Sequence, residues 1–373
     1  MTDPVLWPRD DHTRAKHQVL RAYLDAWLPV MGQQAVKVAR GRPDPPRLLL
    51  VDGFAGPGRY ETGEDGSPLI MLKALLEHPV LEKLRGVEFI YLFIEHDKRR
   101  IEYLENEVQA LELPPNIKPD IQHGEFETTF GKIVEEIHGE EGQTLIPTFA
   151  FIDPFGYAAT SMSLAGRFLE FSRCEALIFI PLTYLVRFVG REGQENAMNS
   201  LFGSERWREA IKMEGEERGA FLLGLFEEQL GSQGKVEHVR SFQLRTADGN
   251  DYRLVFASQH DKGLELMKDA MWSVDPIEGT RYIATRTDEG QEVLFQSEVD
   301  TRPLLEHLRG KFQGNWFTIE EAEKATLLET PYRVSGHLKG KTLAPAEKDG
   351  KIEVDRSGGQ KQLAAGVRIR FCD

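Results

Sequence analysis

Short apolar segments alternate with segments of helical spacing along residues 47–182, and this alternation restricts the possible folds more than any other feature. The apolar segments predict strands at residues 47–54, 88–95, 117–122, 148–153 and 176–182. Helices are predicted between them at residues 67–77, 98–111, 128–137 and 162–171. Near-continuous apolar strands that alternate with helices are typical of a parallel sheet covered on both faces. The chain is therefore expected to have an open, doubly wound α/β fold.

Two further strands are predicted at residues 236–245 and 252–258, joined by the sequence TADGND. Asp-Gly between two strand-like segments indicates a tight hairpin turn, so this pair is expected to run antiparallel. The expected sheet is thus mostly parallel, has seven strands and ends in an antiparallel pair. Such a sheet resembles that of the Rossmann-like methyltransferases more than the six-stranded sheet of the dehydrogenases.

Three regions of the chain differ in their pattern. Residues 1–46 predict an N-terminal helical segment, because apolar residues recur there at helical spacing before a proline-rich break. Residues 47–300 predict the Rossmann-like domain, with a polar helical insertion at 185–233. Residues 301–373 predict a small winged-helix-like domain, because three short helical patterns are followed there by two strand-like segments.

The charge of the chain argues against a broadly basic surface that would bind nucleic acids. Its formal net charge is −14, although residues 301–373 hold 13 Lys and Arg against 10 Asp and Glu. No apolar run reaches the ~18 residues that span a bilayer, and the first residues include no apolar signal segment. With two cysteines, neither a disulfide framework nor a cysteine metal cluster is expected. These features predict a cytoplasmic location, with no membrane partner and no metal site.

The first predicted strand ends in the glycine-rich sequence DGFAGPG, residues 52–58. Ligands of open α/β sheets bind at this edge, and glycines let the backbone approach a ligand closely. Pro57 and a helix that begins only near Ser67 do not fit a dinucleotide fingerprint, in which a pyrophosphate lies on the helix N-terminus. An acidic residue before Gly-x-Gly instead suits the cationic groups of S-adenosylmethionine. The predicted cofactor residues, for which a structural turn is the alternative, are Asp52, Gly53, Phe54, Ala55, Gly56 and Gly58.

Two further acidic positions follow neighbouring strands. Glu95 ends the second predicted strand, where a carboxylate can accept hydrogen bonds from both ribose hydroxyls, and His96 follows it. Glu125 follows the third strand and can reach an adenine amino group, while Phe126 can flank the ring. The alternatives are that Glu95 is a surface residue capping the next helix and that Glu125 is an ordinary loop acid.

The fourth predicted strand ends in the sequence FIDPFGY, residues 151–157. Asp153-Pro154-Phe155-Gly156 resembles the Asp-Pro-Pro-aromatic motif of amino-methyltransferases, in which the Asp and a backbone carbonyl hold the target amine. Catalysis there is mostly positioning of the amine in line with the methyl group. The predicted catalytic residues are Asp153, Pro154, Phe155 and Tyr157. Phe155 replaces the second proline of the motif, and a turn with a capping Asp is the alternative.

Several segments together resemble the three-Cys-motif partner proteins. They are KHQVLRAYLDAW (16–27), DGFAGPGRYETGEDGSPL (52–69), FIEHD (93–97), FIDPFGY (151–157) and HDKGLELMKDAMWSVDP (260–276). The resemblance implies a Rossmann-like methyltransferase that depends on S-adenosylmethionine. It also implies a partner with a three-cysteine motif, itself similar to radical S-adenosylmethionine proteins or to phage-associated proteins. Gly66-Ser67-Pro68 and the residues around Asp153 are also similar to those of an adenine-N6 methyltransferase of large ribosomal RNA.

Together these patterns predict methyl transfer to an exocyclic amine of a nucleic-acid base, in RNA or DNA, with S-adenosylmethionine as the cofactor. The third helix of the C-terminal domain is expected to contact the nucleic acid, because the third helix of a winged helix usually enters the major groove. Its candidate contacts are Arg333, His337, Lys339 and Lys341. The alternative is that this domain docks a protein. Two alternatives stay open: a small-molecule or protein substrate, and a binding subunit that holds a nucleotide-like ligand without catalysis.

Overall fold

The computed structural model of the chain describes residues 4–9, 11–41, 44–140, 142–154, 156, 160–284, 299–356, 359 and 362–372. Most of the strands belong to one sheet: β1 (Arg47–Asp52), β2 (Glu88–Glu95), β3 (Ile117–His123), β4 (Thr148–Ile152), β5 (Cys174–Ile180), β6 (His238–Arg245), β7 (Asp251–Ser258) and β8 (Arg281–Ile283). Their order across the sheet is β3-β2-β1-β4-β5-β7-β6-β8.

The pairing of these strands follows the predicted topology. β1 is parallel to β2 and β4, β3 is parallel to β2, and β5 is parallel to β4. β7 is antiparallel to β6, as the Asp-Gly turn predicts, and it is also antiparallel to β5. The doubly wound α/β fold is confirmed, and among the described residues the sheet has eight strands instead of the predicted seven. The additional strand β8, which pairs in parallel with β6, has three residues and is too short to show an alternating pattern.

Helices cover both faces of the sheet. They are α1 (Asp11–Val38), α2 (Ser67–Leu76), α3 (Lys98–Gln109), α4 (Phe126–Gly139), α5 (Met162–Leu169), α6 (Leu182–Phe188), α7 (Glu195–Phe202), α8 (Gly215–Gly234) and α9 (Asp261–Val274). Buried side chains of α1, α2 and α9 share one hydrophobic cluster, and those of α4, α5, α7 and α8 share a second. Within the described residues, no helix combines the length and apolar character that crossing a membrane would require.

The N-terminal helix α1 is part of the layered core. Several of its apolar residues are at most 1% exposed: Val19, Leu20, Tyr23, Leu24 and Trp27. They pack in the same cluster as the buried side chains of α2 and α9. The predicted boundary between residues 1–46 and 47–300 therefore does not separate two structural units.

A buried carboxylate joins α1 to the sheet. Glu175, near the start of β5, is 6% exposed. Its Oε2 accepts hydrogen bonds from the Tyr23 hydroxyl (2.7 Å) and the Trp27 indole N–H (2.6 Å). Its Oε1 accepts one from the Ser258 hydroxyl (2.7 Å) at the end of β7. Because a buried charge requires such partners, Glu175 links α1, β5 and β7 at one point.

The predicted insertion at 185–233 contains more than a helical pair. It includes most of α6, then α7, a short 3-10 helix (Glu205–Lys212) and α8. Its large side chains Phe202, Trp207 and Phe226 are at most 3% exposed and pack in the second hydrophobic cluster. The region therefore covers one face of the sheet and is needed to bury it.

The C-terminal part of the chain has a separate sheet and its own hydrophobic cluster. Its elements are α10 (Arg302–Phe312), β9 (Phe317–Thr318), α11 (Ile319–Glu329), a helical segment (Val334–Leu343), α12 (Ala344–Lys348), β10 (Ile352–Asp355) and β11 (Arg368–Phe371). The strand order is β10-β11-β9, and antiparallel β10 and β11 form the second pair of strands that the sequence predicts. The assignment of this region as a winged helix stays a prediction.

A buried lysine connects the C-terminal region to α9. Lys268 Nζ donates hydrogen bonds to the carbonyl oxygens of Thr326 (2.9 Å), Leu327 (3.1 Å) and Thr330 (3.0 Å), at the end of α11. Burial lowers the pKa of Lys268 to about 7. Lys268 thus caps the carbonyl end of α11 and holds this helix against α9.

Candidate functional site

A cavity of about 630 Å³ opens at the carboxyl ends of β1, β4 and β5. Its wall includes loop residues 54–60, Lys16 of α1, and Asp153 and Pro154 after β4. β1 and β4 are paired neighbours, with Asp52 beside Phe151, so the segments that follow them meet. The volume is within the range of small-molecule sites. The cavity lies at the sheet edge where the sequence predicts a ligand.

The glycine-rich loop has a backbone that favours glycine at two positions. Gly56 and Gly58 have φ angles of +62° and +80°, in the left-handed region. A Cβ atom on Gly58 would also lie 2.7 Å from Leu104 Cδ1. The loop closes where the Gly66 N–H donates to the Gly58 carbonyl (2.7 Å), and α2 begins at the next residue, as predicted.

We expect Gly58→Ala to lower the free energy of unfolding by about 1–3 kcal/mol, because backbone strain adds to the contact with Leu104. Gly63→Ala is the matched control, since Gly63 has a φ of +92° but a Cβ atom there meets nothing within 4 Å. Denaturant unfolding of the two variants measures the difference. Equal destabilisation would show that the backbone angle alone, without the close packing, accounts for the cost at Gly58.

Asp52 lies beneath this loop and is fully buried. Its Oδ1 accepts a hydrogen bond from the Phe54 N–H (3.2 Å), whereas its Oδ2 accepts none from the part of the chain that the structure describes. Burial raises the pKa of Asp52 to about 7, and the Ser67 hydroxyl and the Phe54 N–H only partly oppose the shift. The site therefore holds a carboxyl group that titrates near neutral pH and that a bound cation would ionise.

The pKa of Asp52 predicts how stability changes with pH. Between about pH 4, near the usual pKa of Asp, and about pH 7, the folded state holds a proton that the unfolded state has lost. The free energy of unfolding therefore falls as the pH rises through this range. Between pH 5 and pH 8, the titration of Asp52 should lower the free energy of unfolding of the ligand-free protein by about 3 kcal/mol. Denaturant unfolding at both pH values should show a smaller loss for Asp52→Asn than for the wild type. Equal losses in both proteins would contradict the raised pKa.

Glu95 binds the glycine-rich loop from the neighbouring strand. Its side chain is 1% exposed, and its Oε2 accepts a hydrogen bond from the Gly56 N–H (3.0 Å). Its Oε1 accepts one from the Asp97 N–H (2.8 Å). The cap of α3 is Asp97, whose Oδ1 accepts from the Arg99 N–H (2.9 Å), so the interpretation of Glu95 as a surface cap is wrong. The role of Glu95 towards a ribose stays a prediction.

An N-terminal segment, residues 4–9, lies across the glycine-rich loop. The Glu61 N–H donates to the Trp7 carbonyl (3.0 Å), and a Cβ atom on Gly56 would lie 3.2 Å from Trp7 Cζ3. The Arg100 guanidinium lies 3.9 Å from the centre of the Trp7 ring. Trp7 therefore forms part of the cavity wall, although the surrounding sequence, VLWPRDDH, has no periodic pattern that would predict it.

Asp153 enters the cavity from the end of β4 and forms an ion pair with Lys16. Lys16 is 5% exposed, and its Nζ also lies 4.6 Å from the centre of the Phe179 ring. Lys16 was not among the predicted site residues. Its signal in the sequence is its spacing of 3, 4 and 7 residues from Val19, Leu20 and Tyr23, which places a lysine on the buried face of α1. The other predicted catalytic residues, Phe155 and Tyr157, lie outside the described residues, whereas Pro154 lines the cavity.

Aromatic rings form the wall beyond Lys16. Phe179 and Tyr252 stack with ring centres 5.2 Å apart, and His12 stacks on Tyr252 at 4.4 Å. Tyr184 and Phe188 of α6 also line the cavity, and Tyr184 is 42% exposed. Aromatic rings beside an acidic group provide a surface suited to a flat, amine-bearing ligand.

Six of the ten predicted cofactor residues lie outside the cavity wall: Asp52, Gly53, Glu95, His96, Glu125 and Phe126. Phe126 begins α4, is 2% exposed and stacks on Phe130 at 5.4 Å between ring centres. A Cβ atom on Gly53 would lie 2.6 Å from the Phe126 ring. The prediction that Phe126 flanks an adenine ring is therefore wrong, because the residue packs in the core under the loop. The role of exposed Glu125 towards adenine stays a prediction.

The candidate nucleic-acid contacts of the C-terminal region are in different environments. His337 is fully buried, where burial lowers its pKa to about 4, so its side chain cannot contact a nucleic acid and that prediction is wrong. Arg333 lies 3.7 Å from an Asp269 oxygen. Lys339 forms an ion pair with Glu323 (2.7 Å), and Lys341 is exposed. The predicted third helix is also interrupted, because residues 335 and 336 have non-helical angles.

No family model matches the chain and no curated protein matches it, so the resemblance to the three-Cys-motif partner proteins stays a prediction. Among solved structures, an O-methyltransferase from Bacillus cereus in complex with SAH matches at 12% identity over 64% of this chain and 80% of that chain, with a TM-score of 0.33. A putative O-methyltransferase from Klebsiella pneumoniae matches at 13% identity over 69% and 91%, with a TM-score of 0.28.

A spermidine synthase in complex with a transition-state analogue matches at 11% identity over 69% of this chain and 63% of that chain, with a TM-score of 0.32. At these TM-scores, the matches decide nothing about the activity of the chain. Its own strand order, with parallel strands β1 to β5 and the antiparallel strand β7, identifies it as a doubly wound α/β protein with a ligand-sized cavity at the carboxyl edge of its sheet.

Proposed function

We propose that the chain is an S-adenosylmethionine-dependent methyltransferase. The observation that carries this proposal is that the glycine-rich loop after β1 lines the same cavity as Asp153 and Pro154 after β4. A methyltransferase needs the methyl donor and the acceptor side by side. The glycine-rich loop is the predicted contact for the donor, and Asp153 is the predicted contact for the acceptor. The seven-stranded part of the sheet, which ends in an antiparallel pair, supports the same class.

The charges around the cavity favour this cofactor over a dinucleotide. S-adenosylmethionine carries a sulfonium and a zwitterionic amino-acid group. The N-terminus of α2, at Ser67, can attract its carboxylate, while the buried carboxyl group of Asp52 beneath the loop favours its cationic groups. A pyrophosphate at the same place would lie close to carboxylates, which oppose phosphate binding.

We propose that the acceptor is an exocyclic amine of a nucleic-acid base. When bound, the cofactor would supply an electrophilic methyl group. The Asp153 carboxylate can accept a hydrogen bond from the amine and hold its nitrogen towards that group, while Lys16 fixes the orientation of the carboxylate. Tyr184, which lines the cavity and is 42% exposed, can hold the flat base by stacking. Catalysis would then come mainly from positioning.

Calorimetric titration tests the cofactor. We expect saturable binding of S-adenosylmethionine and of S-adenosylhomocysteine, and much weaker binding of NAD and ATP as matched adenosine-containing controls. No binding of the first two at millimolar concentration would overturn the proposal. Tighter binding of NAD would instead support a dinucleotide site.

We further propose that the C-terminal region presents the nucleic acid to the site. Support comes from the charge of residues 301–373, which hold 13 basic against 10 acidic residues in an acidic chain, and from exposed Lys341. Lys341→Glu should weaken RNA or DNA binding and lower the slope of its salt dependence by about one. Lys118→Glu, an exposed position on β3, is the control. Equal effects of the two variants would leave a small molecule or a protein as the favoured substrate.

We also propose, from the sequence motifs alone, that the enzyme works with a three-Cys-motif partner protein similar to radical S-adenosylmethionine proteins. Radiolabelled methyl transfer to RNA, to DNA and to cell extract, each with and without such a partner, tests this. Methyl transfer that requires the partner supports the pairing. Equal transfer in its absence contradicts it.

A further inference from the structure

A cluster of three potential metal ligands lies at the opposite edge of the sheet from the candidate site. His238 begins β6 and Glu237 directly precedes it, whereas Asp261 begins α9, three residues after the end of β7. Antiparallel pairing places His238 beside Ser258, which brings the two segments together. One nitrogen or oxygen atom from each of the three side chains lies within 4.8 Å of the others.

The environment of His238 is the second observation. The residue is 4% exposed, and its Nε2 lies 2.8 Å from Asp261 Oδ1. The contact does not have hydrogen-bond geometry, so Nε2 has no hydrogen-bond partner among the residues that the structure describes. Buried imidazole nitrogens are nearly always hydrogen-bonded or bound to a metal. Nε2 therefore points at carboxylate oxygens in an arrangement that a shared cation would satisfy.

Space around the cluster suits a cation with further ligands, although Arg173 and Lys262 also line the cavity. Glu237 and Asp261 line a cavity of about 590 Å³, which leaves room for water molecules or a small ligand on the metal. The cluster contributes two carboxylates and one imidazole, and the buried carboxylate of Glu175 lines the same cavity. Imidazole with carboxylates suits Zn²⁺ or Mn²⁺, whereas Mg²⁺ and Ca²⁺ prefer oxygen ligands alone.

We propose that Glu237, His238 and Asp261 bind one divalent transition-metal ion, of the Zn²⁺ or Mn²⁺ class. The ion links the start of β6 to the start of α9, so its binding stabilises the folded state. The site is distant from the glycine-rich loop and from Asp153, and it does not depend on the proposed methyltransferase activity. Metal binding and cofactor binding can therefore fail separately.

Calorimetric titration of ZnCl₂ and of MnCl₂ into chelator-treated, untagged protein tests the proposal. We expect one equivalent of one of these metals to bind and to raise the thermal midpoint. His238→Gln should weaken metal binding at least about tenfold, because even the mutation of residues that only orient the metal ligands commonly lowers affinity by that factor. His260→Gln is the matched control, since His260 lines the same cavity but its Nε2 contacts the Ser172 carbonyl oxygen (2.6 Å).

A second variant and a spectroscopic readout keep the test independent of folding defects in His238→Gln. Asp261→Asn changes a side chain that is 58% exposed, and it should weaken metal binding with little change in the stability of the metal-free protein. Co²⁺ bound in place of the metal should give visible absorption bands that are lost in Asp261→Asn. No saturable binding to the wild type, or equal weakening in His260→Gln, would overturn the proposal.

Discussion

Asp153→Asn is expected to lower methyl transfer at least about 100-fold, because an amide no longer offers two equivalent acceptor oxygens and does not hold the ion pair with Lys16. The acceptor amine would then be poorly aligned with the methyl group. Cofactor affinity should change less than tenfold, since the glycine-rich loop is intact. Single-turnover transfer of a radiolabelled methyl group measures the first effect, and calorimetry measures the second.

Asp120→Asn is the control for this variant, because Asp120 is an exposed residue on β3 and does not line the cavity. Its transfer rate should equal that of the wild type. Unchanged transfer in Asp153→Asn, with cofactor bound, would place the acceptor elsewhere. Cofactor binding by a wild type that transfers no methyl group to any acceptor would favour the alternative of a non-catalytic binding subunit, in agreement with the departure of Asp153-Pro154-Phe155-Gly156 from the amino-methyltransferase motif.

Glu175→Leu is expected to lower the free energy of unfolding by about 3–5 kcal/mol. The leucine is similar in size but leaves the Tyr23 hydroxyl, the Trp27 indole N–H and the Ser258 hydroxyl without their acceptor. Each buried donor without a partner carries a desolvation cost. Because Glu175 links α1, β5 and β7, the whole domain should unfold at a lower denaturant concentration. Chemical denaturation followed by tryptophan fluorescence measures this change.

Tyr23→Phe is the matched control for Glu175→Leu. It removes one donor and leaves the carboxylate with the Trp27 and Ser258 hydrogen bonds, so its cost should be about 1 kcal/mol. A Glu175→Leu variant that is as stable as Tyr23→Phe would show that well-packed apolar contacts replace the network, as happens at some buried polar sites.

Strand positions could be predicted because parallel strands are buried on both faces. β4 and β5 are buried along their whole length, and β1 along all but its first residue, so each contains an apolar run in the sequence, at residues 48–51, 149–152 and 176–180. β8 has no such run, and its pairing depends on where the chain passes after α9. The cover of the sheet by α1 and by residues 185–233 depends on packing between distant segments, which local patterns do not show.

The difference between local sequence patterns and packing between distant segments also explains which site residues the sequence predicts and which it does not. The glycine-rich loop and Asp153 directly follow buried strands, so strand ends and sheet topology place them together. Lys16 and Trp7 reach the cavity from the N-terminal part of the chain, whose position depends on tertiary contacts. The position of Phe126 after a strand predicts that it faces the ligand, but its side chain packs in the core at the start of α4.

The cavity wall has a consequence for synthesis on the ribosome. Trp7, Lys16 and the glycine-rich loop leave the ribosome first, Asp153 and Phe179 follow, and Tyr252 of β7 emerges late. β7 also lies between β5 and β6, so the antiparallel end of the sheet forms only after it is made. A ligand of this cavity therefore cannot guide early folding of the nascent chain, and its stabilising effect begins only when the sheet is nearly complete.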